Sequence, residues 1–325
     1  MIRLHPHGDC RCAVSFFLDK YGMIILEVLD SGDGMKKYFS LLFAVLLAIG
    51  ITGCATPREQ ACVVATTKPV YDFTARLCQG TDIQVTQLIS EPVSCLHDYS
   101  LSVSQARKAE AAVVTVISGA GLEAFMEELL RGTIIDSSSN VPLLDCSHEH
   151  EHEHEHDHHH QVDNHIWLDP ANAKIMATNI CEGLCATYPT HATALRANLS
   201  QLLNDLDRLQ AYAKEQLADL SCRELITFHD GFGYLAHAFD LEVAAAVEEE
   251  SGSEASAKEL IELIDLVRHH QIPAVFCETN GSVSAPGIIA AETGISIHTL
   301  DMAMGESDYF ESMYRNIDVL KEALG

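Results

Sequence analysis

Three histidines each follow an apolar run: His97 in EPVSCLHDYS, His165 in DNHIWLDP and His229 in ITFHDGFGYL. Asp301, in ISIHTLD, holds a fourth such place. Neutral imidazoles with a carboxylate are the donor set of a borderline-soft dication such as Zn²⁺, and four donors fill a tetrahedral shell. Between the first two histidines runs HEHEHEHEHDHHH, residues 148–160. It carries His148, His150, His152, His154, His156, His158, His159 and His160 among four glutamates and one aspartate. With no apolar side chain to fold on, this tract is expected to be an unstructured loop. Such a loop could collect several Zn²⁺ weakly and pass them on, sense their abundance, or be a solvated spacer. Each residue alone has a plainer account as well: a loop histidine can simply be solvated, and Asp301 can cap the last helix.

The elements that must position these residues follow from the apolar pattern. ACVVATT (61–67), DIQVTQLIS (82–90), AAVVTVIS (111–118) and TIID (133–136) read as strands. Helical patterns lie between them, opening at Pro69, near Ser102, and from Gly121 to Arg131. The same alternation returns after residue 220, with strands RELITF (223–228), LEVAAAV (241–247), PAVFCE (273–278) and ISIHTL (295–300). Helices are expected near 231–239, 253–270, 284–293 and 307–323. Strands separated by short helices imply parallel βαβ units, so the fold class is α/β, with two lobes, each a mostly parallel sheet flanked by helices. Between the lobes, residues 170–220 carry no strand signal, and Leu195, Leu199, Leu202, Leu206, Leu209, Ala213 and Leu217 form a helical seam. A single backbone helix over 191–220 would be roughly 45 Å long and could join the lobes; a coiled-coil dimer interface is the alternative. In open parallel sheets ligands bind beyond the carboxyl ends of the strands. His97, His229 and Asp301 all follow strands, and His165 precedes Pro170, so the four can face one cleft.

From Met35 the chain reads MKKYFSLLFAVLLAIGITGCA: two lysines, a 13-residue apolar stretch from Phe39 to Ile51, then Cys54 after small residues. That stretch is too short to span a bilayer, and residues 35–53 read as a lipoprotein signal peptide with Cys54 as the lipidated first residue. Residues 1–34 fit no export pattern and are expected to reflect an upstream start codon assigned in error. The lobes then occupy 54–169 and 221–325, with the linking helix in 170–220. The formal charge is −27, with 20 basic and 47 acidic residues. Nucleic acid is excluded as a partner, since phosphate neutralisation needs clustered lysines and arginines. The 11 cysteines fit an exported protein better than a cytosolic one. Cys181 and Cys185 have the spacing of a zinc half-site, but buried thiol packing is the favoured reading.

NHIWLDP, FHDGFGYLA, EESGSEASAKELIELIDLVRHHQIPAVFCE and the signal peptide together resemble the metal-binding lipoproteins of ABC importers for zinc and manganese. The resemblance spans nearly all of the chain after Cys54. It implies one metal held between the lobes, and by motif the ligands are His97, His165, His229 and Asp301. One departure stands out: Val-Ser-Cys-Leu separates Pro92 from His97 where the family runs Glu-Pro-His-Asp-Tyr, which brings Cys95 near the site. The histidine tract resembles the loops of zinc-type members, and imidazole richness favours Zn²⁺ over Mn²⁺.

The expected function is capture of Zn²⁺ outside the cytoplasmic membrane by a monomer, either periplasmic or on the cell surface, and delivery to an ABC permease. A lipid anchor would hold the monomer to the membrane. No reaction is expected. Ligands must be deprotonated, so affinity should fall below about pH 6.5. Asp98, Asp169 and Asp230 are candidates to orient the ligand imidazoles, with helix capping as their other reading. Two rivals share the site. A zinc-dependent hydrolase would need Asp301 free as a base, and a metal-buffering or adhesive surface lipoprotein would need no permease.

Overall fold

A computed structural model of the chain describes residues 62–93, 96, 99–144, 162–247, 255–279 and 281–325. His97 with Asp98, Cys95, the histidine tract 148–160, the signal peptide and Cys54 lie outside the described residues.

The first lobe holds four parallel strands, β1 (Cys62–Ala65), β2 (Gln84–Gln87), β3 (Val114–Ile117) and β4 (Thr133–Asp136), in the order β2-β1-β3-β4. The second repeats that order with β5 (Glu224–Thr227), β6 (Glu242–Ala246), β7 (Ala274–Glu278) and β8 (Ser296–Leu300), as β6-β5-β7-β8. In both sheets the chain reverses direction of travel between the first and third strands, which is where an open parallel sheet forms its crevice. Val63, Val64 and Ala65 of β1 and all of β7 are buried, as expected of central strands covered on both faces.

Local chemistry sets the helices. Helix α1 (Lys68–Leu77) starts with Pro69 in its first turn and buries Val70, Phe73 and Leu77. A reciprocal Ser102–Gln105 capping box starts α2 (Val103–Glu110), and Ser256–Glu259 does the same for α6 (Ala257–His270). Short α5 (Gly233–Ala238) follows β5, α7 (Ser284–Thr293) joins β7 to β8, and α8 (Tyr309–Leu324) is capped by Asp308, which accepts from Glu311 N.

Two expectations change. The helix over 121–131 is a single 3₁₀ stretch, Ala124–Leu129. Glu123 turns inward to accept from Thr66 Oγ1, Ser118 N and Gly119 N, and Gly119, Ala120 and Gly121 all have positive φ, so no regular α-helix can start there. Residues 170–220 form two helices, α3 (Pro170–Thr187) and α4 (Ala192–Gln216), not one. The break falls at Tyr188-Pro189, because the residue before a proline is pushed out of the α region; Tyr188 sits at φ −122, ψ 66.

Helix α4, about 37 Å long, is the backbone helix that joins the lobes. Near its start Asn198 Nδ2 donates to Leu77 O and Gln79 O, each at 2.8 Å, beside α1. Near its end Tyr212 OH donates to Asp318 of α8 at 2.5 Å. Leu195, Leu202, Leu206, Leu209 and Ala213 are buried in the protein's own core, so the seam is consumed internally and leaves no stripe for a coiled-coil partner. Cys181 and Cys185 pack as buried thiols with sulfurs 3.9 Å apart.

Candidate metal centre

His165 and His229 come from segments 64 residues apart and meet in the crevice. Their Nε2 atoms are 3.4 Å apart, with the rings perpendicular and both side chains buried. Two Zn–N bonds of the usual length at a tetrahedral angle put their nitrogens about 3.3–3.4 Å apart. The pair therefore already spans one edge of such a shell.

Each ring has a carboxylate behind it. Asp163 Oδ1 lies 2.9 Å from His165 Nδ1 and also accepts from His165 N at 2.9 Å, a local turn that fixes backbone and ring together. Glu278, the last residue of β7, places Oε1 3.4 Å from His229 Nδ1. A carboxylate hydrogen-bonded to Nδ1, as Asp163 is at His165, favours the proton there and turns the Nε2 lone pair outward, while Glu278 stands at ion-pair distance from His229 Nδ1. Two such lone pairs facing each other across the crevice repel unless a proton or a cation lies between them.

The surroundings enforce this approach. Trp167 Nε1 donates to Met302 O at 2.8 Å, and Tyr309 OH donates to Trp167 O at 2.8 Å, tying the His165 turn to the second lobe. A Cβ on Gly231 would sit 2.7 Å from His229 Nε2 and 2.7 Å from Met302 Cε, so only glycine leaves that side of the ring open. Burial pushes the Tyr309 hydroxyl well above its usual range, and it stays a donor.

Asp301 does not join the two histidines. Its Oδ1 accepts from Ala303 N at 2.8 Å, and its Oδ2 accepts from Ser312 Oγ at 3.0 Å and faces Arg315 Nη1 at 3.5 Å. Asn316 clamps its backbone through N and O. Nor is it the cap of α8, since Asp308 has that role. Among the described residues no three His, Cys, Asp or Glu side chains are arranged to hold a metal ion. A cavity of about 270 Å³ lies beside Asp301, lined by Glu278, Glu306 and Arg315 of the second lobe and by Pro92 and Val93 just before the His97 segment.

Of the two readings of Asp169, the structure shows helix capping: it accepts from Ala171 N at 2.7 Å at the start of α3. The orienting carboxylates Asp163 and Glu278 escaped the sequence reading. Asp163 was accessible as an Asp-x-His turn, and Glu278 as an acid ending a buried strand at the crevice edge.

Two lobes, each a parallel four-stranded sheet flanked by helices, are the fold of the two-lobe solute-binding proteins. The chain aligns with the crystal structure of ZnuA at a TM-score of 0.71 and 27% identity, covering 82% of this chain and 100% of that one. It belongs to the zinc-uptake complex component A family, the periplasmic component, whose sequence profile matches residues 63–323. Relatives include the zinc-binding lipoprotein AdcA of Streptococcus pneumoniae, 28% identical over 312 residues, which cover 89% of this chain and 61% of that protein. The zinc-binding protein AdcA of Streptococcus pyogenes is 28% identical over 323 residues, with coverage of 88% and 61%. The chain thus spans about three-fifths of the length of these streptococcal proteins.

Proposed function

We propose that this protein captures Zn²⁺ outside the cytoplasmic membrane and delivers it to an ABC permease, without performing chemistry on it. The observation that carries the reading is the 3.4 Å separation of the His165 and His229 Nε2 atoms, each with a carboxylate at Nδ1. His97, in the segment that continues from the cavity-lining Pro92 and Val93, supplies the third nitrogen. Asp301 stands beside the site as an oxygen donor that reaches the ion only by giving up its contacts to α8. A nitrogen-rich shell favours Zn²⁺ over Mn²⁺, in keeping with a family named for zinc uptake and with relatives named as zinc-binding. Residues 148–160 serve as a collecting loop, and Cys54 carries the lipid that keeps the monomer at the membrane.

Trp167, Met302 and Tyr309 bolt the lobes together, which supports recognition of the loaded protein by the permease without wide hinge opening. The hydrolase reading loses its base: both Asp301 oxygens are engaged.

The test is metal analysis of the purified chain with and without residues 148–160, alongside His97→Ala, His165→Ala and His229→Ala. One tight zinc equivalent should survive loss of the tract and vanish in the histidine variants. Retention by all three would overturn the assignment. A growth defect under zinc limitation, rescued by excess zinc, separates uptake from mere buffering or adhesion.

A further inference from the structure

We propose that Tyr234 is a positioning residue for the metal centre, fixing how far the His165 turn stands from His229, an inference that rests on the zinc-capture reading above. The two imidazoles belong to different lobes, so the 3.4 Å between their Nε2 atoms depends on what joins the segments that carry them. His229 leads into α5, and Tyr234, the second residue of that helix, is only 1% exposed. Its hydroxyl accepts from Leu144 N, in the first lobe, at 2.9 Å. Leu144 O in turn accepts from Asp163 N at 3.0 Å, and Asp163 holds both the backbone and the ring of His165.

An unbroken series of hydrogen bonds thus crosses from α5 to the His165 imidazole. The preceding residue closes the same gap from the backbone. A Cβ on Gly233 would sit 2.9 Å from Asp163 Oδ2, so the start of α5 lies directly against the carboxylate that orients His165. The two tasks are separate: Asp163 aims the ring within its own turn, whereas Tyr234 sets where that whole turn stands relative to His229. Placement matters because a binding constellation must be held within about 0.5 Å of its productive geometry. The Trp167 tie between the lobes is doubled, with Tyr309 OH on its carbonyl and its own Nε1 on Met302 O, and it bonds no ligand or orienting residue directly. The Tyr234 tie ends on Leu144, whose carbonyl holds Asp163. Leu144 and Asp163 also flank the histidine tract in sequence, so removal of 148–160 leaves both partners of this clasp in place.

The test compares Tyr234→Phe with Tyr309→Phe in the full chain, since each deletes one buried hydroxyl that joins the lobes. Zinc affinity is read by competition with a chelator, and ligand geometry by loading Co²⁺, whose visible absorption bands depend on the angles between its ligands. Tyr234→Phe should lower zinc affinity by about three- to tenfold, the order of one lost hydrogen bond, and shift the Co²⁺ bands. Tyr309→Phe should change affinity by less than about threefold and leave the bands in place. A zinc loss below about threefold in Tyr234→Phe overturns the proposal. So do equal losses in the two variants, or a loss with unshifted bands, because either outcome reports general loosening and not placement of the ligands. If Tyr234→Phe does not fold, Gly233→Ala decides the matter: its Cβ presses on Asp163 and should lower zinc affinity with the same band shift, and unchanged affinity there overturns the proposal. Failure of the zinc reading itself looks different: no tight zinc in the unaltered chain, or tight zinc retained by His165→Ala and His229→Ala.

Discussion

The turn that carries His165 and the strand end that carries His229 present the same atom to the crevice by opposite means. At His165 everything needed is local: Asp163, two residues earlier, binds both the backbone nitrogen and the ring, and a 3₁₀ turn over Ile166–Leu168 leads into α3. At His229 the orienting acid comes from another strand, Glu278 of β7, whose β-ladder contact with β5 pairs Thr227 with Phe276. A ligand can thus be preorganised by its own peptide segment or by the sheet. The first mode survives local rearrangement of the lobe, and the second reports directly on the integrity of the β5–β7 pairing.

Removing either ring should do the most damage. His165→Ala and His229→Ala should each weaken zinc binding by more than the roughly hundredfold that outer partners command, measured by competition with a chelator of known affinity. A difference between them larger than about tenfold would break the equivalence of the two ligands. Next comes Gly231→Ala. Its new Cβ would meet His229 Nε2 at 2.7 Å, so zinc affinity should fall by about tenfold or more while the melting temperature changes little. Third are the acids behind the rings. Asp163→Asn and Glu278→Gln should each cost about 10- to 100-fold in affinity, with the larger loss at Asp163 because it also holds the His165 backbone. An equal loss at both would mean that the local turn adds nothing beyond the ring contact.

The smallest effect concerns the bolt between the lobes. Tyr309→Phe removes the hydroxyl that serves Trp167 O and should lower unfolding stability by about 1–2 kcal/mol, read by denaturant titration. Zinc affinity should move less than about threefold, since Trp167 Nε1 still holds Met302 O. A large affinity loss there would place the bolt within the binding machinery.

Much of the frame was legible because it depends on short-range patterns. All eight described strands fall within the runs read as strands, and the central β1 and β7, buried on both faces, are spelled as near-continuous apolar segments. The seam from Leu195 to Leu217 was equally plain. The backbone helix was placed over 191–220 and α4 falls within that span, while the separate helix before Tyr188-Pro189 was not resolved within the linking segment 170–220. The inward turn of Glu123 was not legible, because it answers the Thr66 hydroxyl after β1 together with the Ser118 and Gly119 amides after β3, two strand ends that are distant in sequence.

The residue types and their places after strands sufficed to nominate His165 and His229 as partners. Donor chemistry belongs to the side chain, and a strand's carboxyl end faces the crevice in any open parallel sheet. Only the tertiary structure decided that Glu278 stands behind His229, and that the Asp301 carboxylate is held by α8. Those outcomes depend on pairings between segments far apart in the chain, where packing and hydrogen bonding compete for the same carboxylate.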